Sequence, residues 1–242
     1  MLSLVAAIGF RLVLTTPMAD LQPPEPVAAK VLETAGASRG DTLPLVVALH
    51  GRGGDPGSMA SVLARLDVPA RVVVPRAPLR SGKGWAWFRP RARAADQERF
   101  GDAVRTAGDD LATLVDDVLA QHPTCGGVTV VGFSQGGMVA LAYAGAHPET
   151  VDQVVAIAAW VPEALQPSAE VRVTLLHGED DRRVPYRWAH EMIQRLGAGG
   201  GDAEMQSYAH TGHRPTQKIR RALRSAVADA VRAEARTCTA AS

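Results

Sequence analysis

Gly132-Phe133-Ser134-Gln135-Gly136 sets a serine two residues from a glycine on either side. The β-branched run Val128-Thr129-Val130-Val131 precedes it, and the helical stretch Gln135 to Ala146 follows. A serine between a strand and a helix must make a very tight turn, and the flanking glycines remove Cβ atoms that would clash there. Such a turn lifts the hydroxyl clear of a sheet and presents it as a nucleophile. A serine hydroxyl attacks only when a base takes its proton. That base is a histidine oriented by a carboxylate. Carboxylates follow in His177-Gly178-Glu179-Asp180-Asp181, and a histidine in Gly212-His213-Arg214-Pro215. The chain order serine, acid, histidine suits a nucleophile on a strand-to-helix turn. Spacing alone does not choose among the three adjacent acids, and His210 is a nearby rival to His213. His122 and His147 precede prolines at helix ends, and His190 lies within a helical stretch.

Acyl transfer at a serine also needs two N–H donors for the oxyanion. One follows the nucleophile, at Gln135. The other comes from a loop after an early strand, and Leu49-His50-Gly51-Arg52-Gly53-Gly54 is that loop, with Arg52 as the donor. Its glycines let the backbone approach a ligand closely.

These motifs need elements to hold them. Short apolar runs bounded by Gly or Pro fit strands buried on both faces. They fall at Leu43 to Leu49, Arg71 to Val74, Val128 to Val131, Val154 to Ala159 and Val171 to Leu176, with Met205 to Ala209 as a last strand. Helices are expected at Ser58 to Leu66, Asp102 to Gln121, Gln135 to Ala146, from Pro185 to Gly197, and from Pro215 to about Ala235. This alternation predicts an α/β fold, a mostly parallel central sheet flanked by helices. Its site should lie at the carboxyl ends of the strands, where the motifs fall. One domain is expected over residues 27–236. Residues 1–26 form an N-terminal extension or a leader, and residues 237–242 a C-terminal tail.

The 242 residues are 46% hydrophobic and 21% charged, with net charge +1. No global field would attract nucleic acid. The apolar run Leu2 to Leu14 is interrupted by Ser3 and Arg11 and is too short to span a bilayer. It lacks a basic n-region, and Met18 offers a second start. A cytoplasmic location is expected, or secretion if residues 1 to about 19 are a leader. No H-E-x-x-H motif or spaced Cys/His set is present, so no metal and no cofactor are expected. The expected partner is a small-molecule ester or thioester, with no nucleic acid, no stable membrane span, and a monomer or homodimer as the assembly.

Together these residues resemble the phospholipase/carboxylesterase family, which includes acyl-protein thioesterases and bacterial carboxylesterases, over about residues 43 to 230. The resemblance implies the α/β-hydrolase fold and a serine esterase or thioesterase acting through an acyl-enzyme on short-to-medium acyl substrates. His177-Gly178-x-x-Asp181-x-x-Val184-Pro185 matches the family's acid motif and picks Asp181. Gly212-His213 matches its base, and Trp87-Phe88 resembles its tryptophan-aromatic step in a substrate-facing loop. Two departures touch the substrate. Ala158-Ala159-Trp160 stands where the family commonly has a small Ser-Gly pair, and Arg89 follows Trp87-Phe88 where an acid is usual. Trp85, Trp87, Phe88 and Trp160 are therefore expected to border the acyl site, with the bulk of Trp160 favouring short chains. Secreted polyester depolymerases and feruloyl esterases share a similar loop and elbow and are the second reading. An inactive binding module is the third.

The stretch Arg76 to Arg99 carries Arg76, Arg80, Lys83, Arg89, Arg91, Arg93 and Arg99 with three aromatics. It reads as a solvated loop anchored by its aromatics, or else as a substrate loop that prefers anionic groups. Cys125 and Cys238 are the only cysteines. Cys125 enters the nucleophile strand and Cys238 follows the last helix, so both belong at the amino-terminal edge of the sheet and could meet. Two unpaired thiols are nonetheless expected, because a cytosolic enzyme keeps them reduced.

Overall fold

The computed structural model describes residues 29–89 and 97–240. The N-terminal extension, Met18, Arg91 and Arg93 lie outside the described residues. Seven strands form one sheet in the order β1-β3-β2-β6-β7-β8-β9. They are β1 (Ala29–Glu33), β2 (Leu43–Leu49), β3 (Arg71–Pro75), β6 (Thr124–Phe133), β7 (Val151–Ile157), β8 (Arg172–Gly178) and β9 (Ala203–Tyr208). β4 (Leu79–Ser81) and β5 (Gly84–Ala86) make a separate antiparallel hairpin. The helices are α1 (Pro56–Leu63), α2 (Gln97–Gln121), α3 (Gln135–Ala146), α4 (Tyr186–Ala198) and α5 (Gln217–Ala240). Every neighbouring pair in the main sheet is parallel except β1 with β3.

Because side chains alternate along a strand, β2 splits its apolar run between two cores. Leu45, Val47 and Leu49 pack with α2, α3 and α4. Val46 and Ala48 pack with α1 and α5. A strand apolar on both faces needs helices on both, and βαβ crossovers supply them.

The core strands and helices lie where the apolar runs put them, with shifted ends. β6 begins four residues before Val128, α2 five before Asp102, and α4 runs one residue past Gly197. Pro185 caps α4 from outside. β1 and the β4–β5 hairpin were not foreseen. Helix α5 continues to Ala240, so residues 237–240 belong to it rather than to a tail.

Cys125 and Cys238 form a disulfide with Cα atoms 5.3 Å apart, which corrects the expectation of two free thiols. The bond follows from topology. Cys125 enters β6 at the sheet's amino-terminal edge, and α5 starts near His213 and runs back to that same edge. Among the described residues, no helix is long and apolar enough to cross a membrane.

Candidate active site

Ser134 joins β6 to α3 with φ 54° and ψ −117°. A non-glycine residue here costs on the order of 1–3 kcal/mol and persists only where its surroundings hold it. Its N–H donates to the Ile157 carbonyl at 2.9 Å, and its own carbonyl accepts from Met138 N–H at 2.9 Å. A Cβ on Gly132 would lie 2.3 Å from the Gly136 carbonyl carbon. One on Gly136 would lie 2.4 Å from the Leu49 carbonyl oxygen. Both glycines are therefore required by close backbone approach.

The loop after β9 brings His213 over the serine. His213 Nε2 lies 2.8 Å from Ser134 Oγ, and His213 Nδ1 lies 2.7 Å from Asp181 Oδ2. With Nδ1–H donating to the carboxylate, Nε2 is free to accept the serine proton. Asp181 follows β8, and its side chain is fully buried. Its other oxygen accepts from the N–H groups of Arg183 at 2.8 Å and Val184 at 3.0 Å. Burial alone would raise the Asp181 carboxyl. The His213 hydrogen bond, the Val184 and Arg183 N–H groups and the histidine's charge outweigh it and hold the carboxyl below its ordinary value.

Glu179 and Asp180 are exposed. They contribute backbone instead, donating N–H groups to the Tyr208 and Thr211 carbonyls at 3.0 Å each. These bonds fasten the acid loop to the histidine loop. His210 is exposed and takes the left-handed turn, φ 53°, that leads into the His213 loop.

His177 is fully buried behind Asp181. Its Nε2–H donates to the Val184 carbonyl at 3.0 Å and sits 3.7 Å from Asp181 Oδ2. Burial lowers its pKa, so the ring is neutral.

His50 organises the loop after β2. Ala77 N–H donates to His50 Nε2 at 3.2 Å, so Nδ1 carries the proton and donates to the Gly51 carbonyl at 2.8 Å. Burial lowers the His50 pKa and keeps this tautomer neutral. Gly53 N–H donates to the Trp85 carbonyl at 2.7 Å, and Trp85 N–H returns a bond to Gly54 at 2.9 Å. The backbone N–H groups of Arg52 and Gln135 have no internal acceptor among the described residues. The Gln135 side chain is buried and accepts from Trp87 N–H at 3.2 Å, while its amide donates to the Phe88 carbonyl at 2.9 Å. Sequence reasoning assigned Gln135 only a backbone role and missed this clamp.

The profile of the family described as Phospholipase/Carboxylesterase matches residues 35–228. The chain belongs to the phospholipase/carboxylesterase family. Carboxylesterase SOBER1 of Arabidopsis thaliana is 23% identical over 143 residues, 56% of this chain and 63% of that protein. The match thus spans less than two thirds of that relative. The crystal structure of esterase PE8 superposes with TM-score 0.71 at 24% identity, covering 84% of this chain and 98% of the other. Zea mays acyl-protein thioesterase 2 gives TM-score 0.65 at 22% identity, covering 83% and 97%. At such identities these structures establish the α/β-hydrolase fold.

Trp85, Trp87 and Phe88, expected to border the acyl site, are all buried. Trp85 lies between two guanidinium groups, Arg76 at 4.0 Å and Arg80 at 3.9 Å from its ring. Trp87 borders a cavity of only about 20 Å³, room for a single water. Phe88 meets Phe100 edge-on at 5.9 Å, Phe100 stacks on Trp160 at 5.8 Å, and Trp160 leans on Trp188 at 5.0 Å. Trp160 is half-buried just beyond β7. Phe100 and Trp188 sit on helices, and nothing in their local sequence marked them as members of this row. Among the described arginines of this stretch, Arg76 and Arg80 pack on Trp85, and Arg80, Arg89 and Arg99 are exposed. Among the described residues, no cluster of three His, Cys, Asp or Glu side chains could hold a metal.

Proposed function

We propose that the chain is a serine carboxylesterase that cleaves short-to-medium acyl esters or thioesters through an acyl-enzyme. The observation that carries this reading is the unbroken chain from Ser134 Oγ through the His213 ring to Asp181, with contacts of 2.8 and 2.7 Å. In the first step His213 Nε2 takes the Ser134 proton as Oγ bonds to the carbonyl carbon. The carbonyl oxygen becomes an oxyanion held by the N–H groups of Arg52 and Gln135. Asp181 stabilises the imidazolium. His213 then gives its proton to the departing alcohol or thiol. Water repeats the cycle on the acyl-enzyme and releases the acid.

Trp160, Phe88, Trp87 and Trp85 border the acyl side in this reading. For Phe88 and Trp160 the row from Phe88 to Trp188 supports it, because it lies on the α2, α3 and α4 face beside the carboxyl ends of β6 and β7. The disulfide supports residence in an oxidising compartment rather than the cytoplasm. It is also the one observation that favours the second reading, a secreted polyester or feruloyl esterase.

Ser134→Ala should lower ester turnover by roughly 10⁴–10⁶-fold, and a fluorophosphonate should label the wild type at Ser134 only. Near-wild-type hydrolysis by the alanine variant overturns the Ser134 mechanism, whereas a wild type that neither hydrolyses esters nor takes the label at Ser134 points to an inactive binding module.

A further inference from the structure

A cavity of about 300 Å³ opens beside Phe133, the residue before Ser134, and Pro215, two residues after His213, on the face of the sheet opposite the aromatic row. The Gly51 to Gly54 backbone forms one wall. Phe133 and Pro215 form the wall next to the histidine, with the Phe133 ring 5.2 Å from that of His213. Its floor is apolar, from Met59 and Val62 on α1, Ile157 at the end of β7 and Leu223 on α5. Ser58, Arg52 and Arg220 complete the lining, and all three are exposed. Neither arginine is paired with a carboxylate among the described residues. The volume is that of a small-molecule site.

The group that His213 protonates is the leaving group, so the leaving group must lie against the histidine. This cavity adjoins the histidine through Phe133 and Pro215, while the aromatic row occupies the other face. A guanidinium fork pairs carboxylates and other oxyanions through directed hydrogen bonds. We propose that the cavity takes the leaving group, a short alkyl alcohol or thiol ending in a carboxylate. Its stem would lie on the apolar floor and its charge between Arg52 and Arg220. The inference rests on the esterase reading and adds a substrate class to it.

The test compares four esters by pH-stat: the acetate ester of ω-hydroxyhexanoate, hexyl acetate, monoethyl adipate and ethyl hexanoate. The first two differ only by a carboxylate on the alcohol, the last two only by one on the acyl chain. The wild type should prefer ω-hydroxyhexanoate acetate over hexyl acetate by about tenfold or more in kcat/KM, the scale of one charge-assisted hydrogen bond. Monoethyl adipate should have no such advantage over ethyl hexanoate. Arg220→Gln should collapse the first ratio towards one, chiefly through KM, and added salt should weaken it. An unchanged melting temperature in Arg220→Gln shows that the loss is local. Hydrolysis of hexyl acetate without a preference, a preference that survives Arg220→Gln, or one confined to the acyl-side carboxylate each overturns the inference and leaves the esterase reading intact. Hydrolysis of none of the four, with Ser134 unlabelled by fluorophosphonate, overturns both.

Discussion

The indole N–H of Trp87 donates to the backbone carbonyl of His50 at 2.7 Å. His50 begins the loop that carries the Arg52 N–H, so a side chain thirty-seven positions away fixes one of the two proposed oxyanion donors. Gln135, which carries the other donor, holds the Trp87 and Phe88 backbone. The aromatic loop thus couples both donors.

Trp87→Phe keeps the ring and deletes that donor. It should lower kcat by about tenfold with KM little changed, since the oxyanion forms after binding. A kcat equal to wild type, with KM raised instead, would place Trp87 in substrate contact alone.

Trp160 is wedged between Phe100 and Trp188 at the end of β7. Trp160→Gly should move the preferred acyl length upwards over a series of p-nitrophenyl esters, because it removes the bulk that shortens the proposed acyl side. It should also lower stability by roughly 2–4 kcal/mol through lost packing. An unchanged chain-length profile excludes the pocket role.

Gly127 N–H donates to Asp152 at 3.1 Å and to Glu234 at 3.0 Å, bringing two carboxyl groups together where α5 crosses β6. Burial, followed by the Asp152 hydrogen bond and its negative charge, pushes the Glu234 carboxyl up to about 7. A folded-state value above the unfolded one gives stability that is fully present below the ordinary glutamate range and is lost as pH rises through about 7. The melting temperature should therefore fall between about pH 5 and about pH 8, and Glu234→Gln should flatten that slope. Parallel slopes in wild type and variant would contradict the upward shift of the Glu234 carboxyl.

Reducing the disulfide, or replacing Cys125 and Cys238 by serine, should lower stability by up to about 4–5 kcal/mol in the chain-entropy picture. Urea unfolding with and without reductant measures it. Initial rates at room temperature should change little, because the bond lies at the opposite edge of the sheet from Ser134. An unchanged midpoint would show that the α5 packing alone holds the end of the helix.

Much of this architecture is legible because parallel strands buried on both faces write themselves as uninterrupted apolar runs, as Leu43 to Leu49 does. The chemical motifs are legible because the elbow at Ser134 admits so few residue types. β1 escapes because Ala29–Glu33 is a mostly exposed edge strand whose partner, β3, comes nearly forty residues later. The β4–β5 hairpin escapes because its strands are three residues each and lean on the Gly51 to Gly54 loop for their geometry. The roles of Phe100, Trp188 and the Gln135 side chain depend on which elements meet, and no local pattern encodes that. Asp181 is chosen over its neighbours by the turn that buries it and leaves Glu179 and Asp180 outside.

Ser134, Asp181 and His213 all lie between Cys125 and Cys238 in the chain. A ribosome must therefore have passed His213 before the covalent ring can close, so the bond cannot guide the early assembly of the sheet and can only lock what has already formed. Once closed, the ring changes the outcome of proteolysis. A single cut anywhere from 126 to 237, including the exposed loop at Glu179 and Asp180, leaves both pieces covalently joined. Such a nicked enzyme would run as one band on a non-reducing gel and as two after reduction.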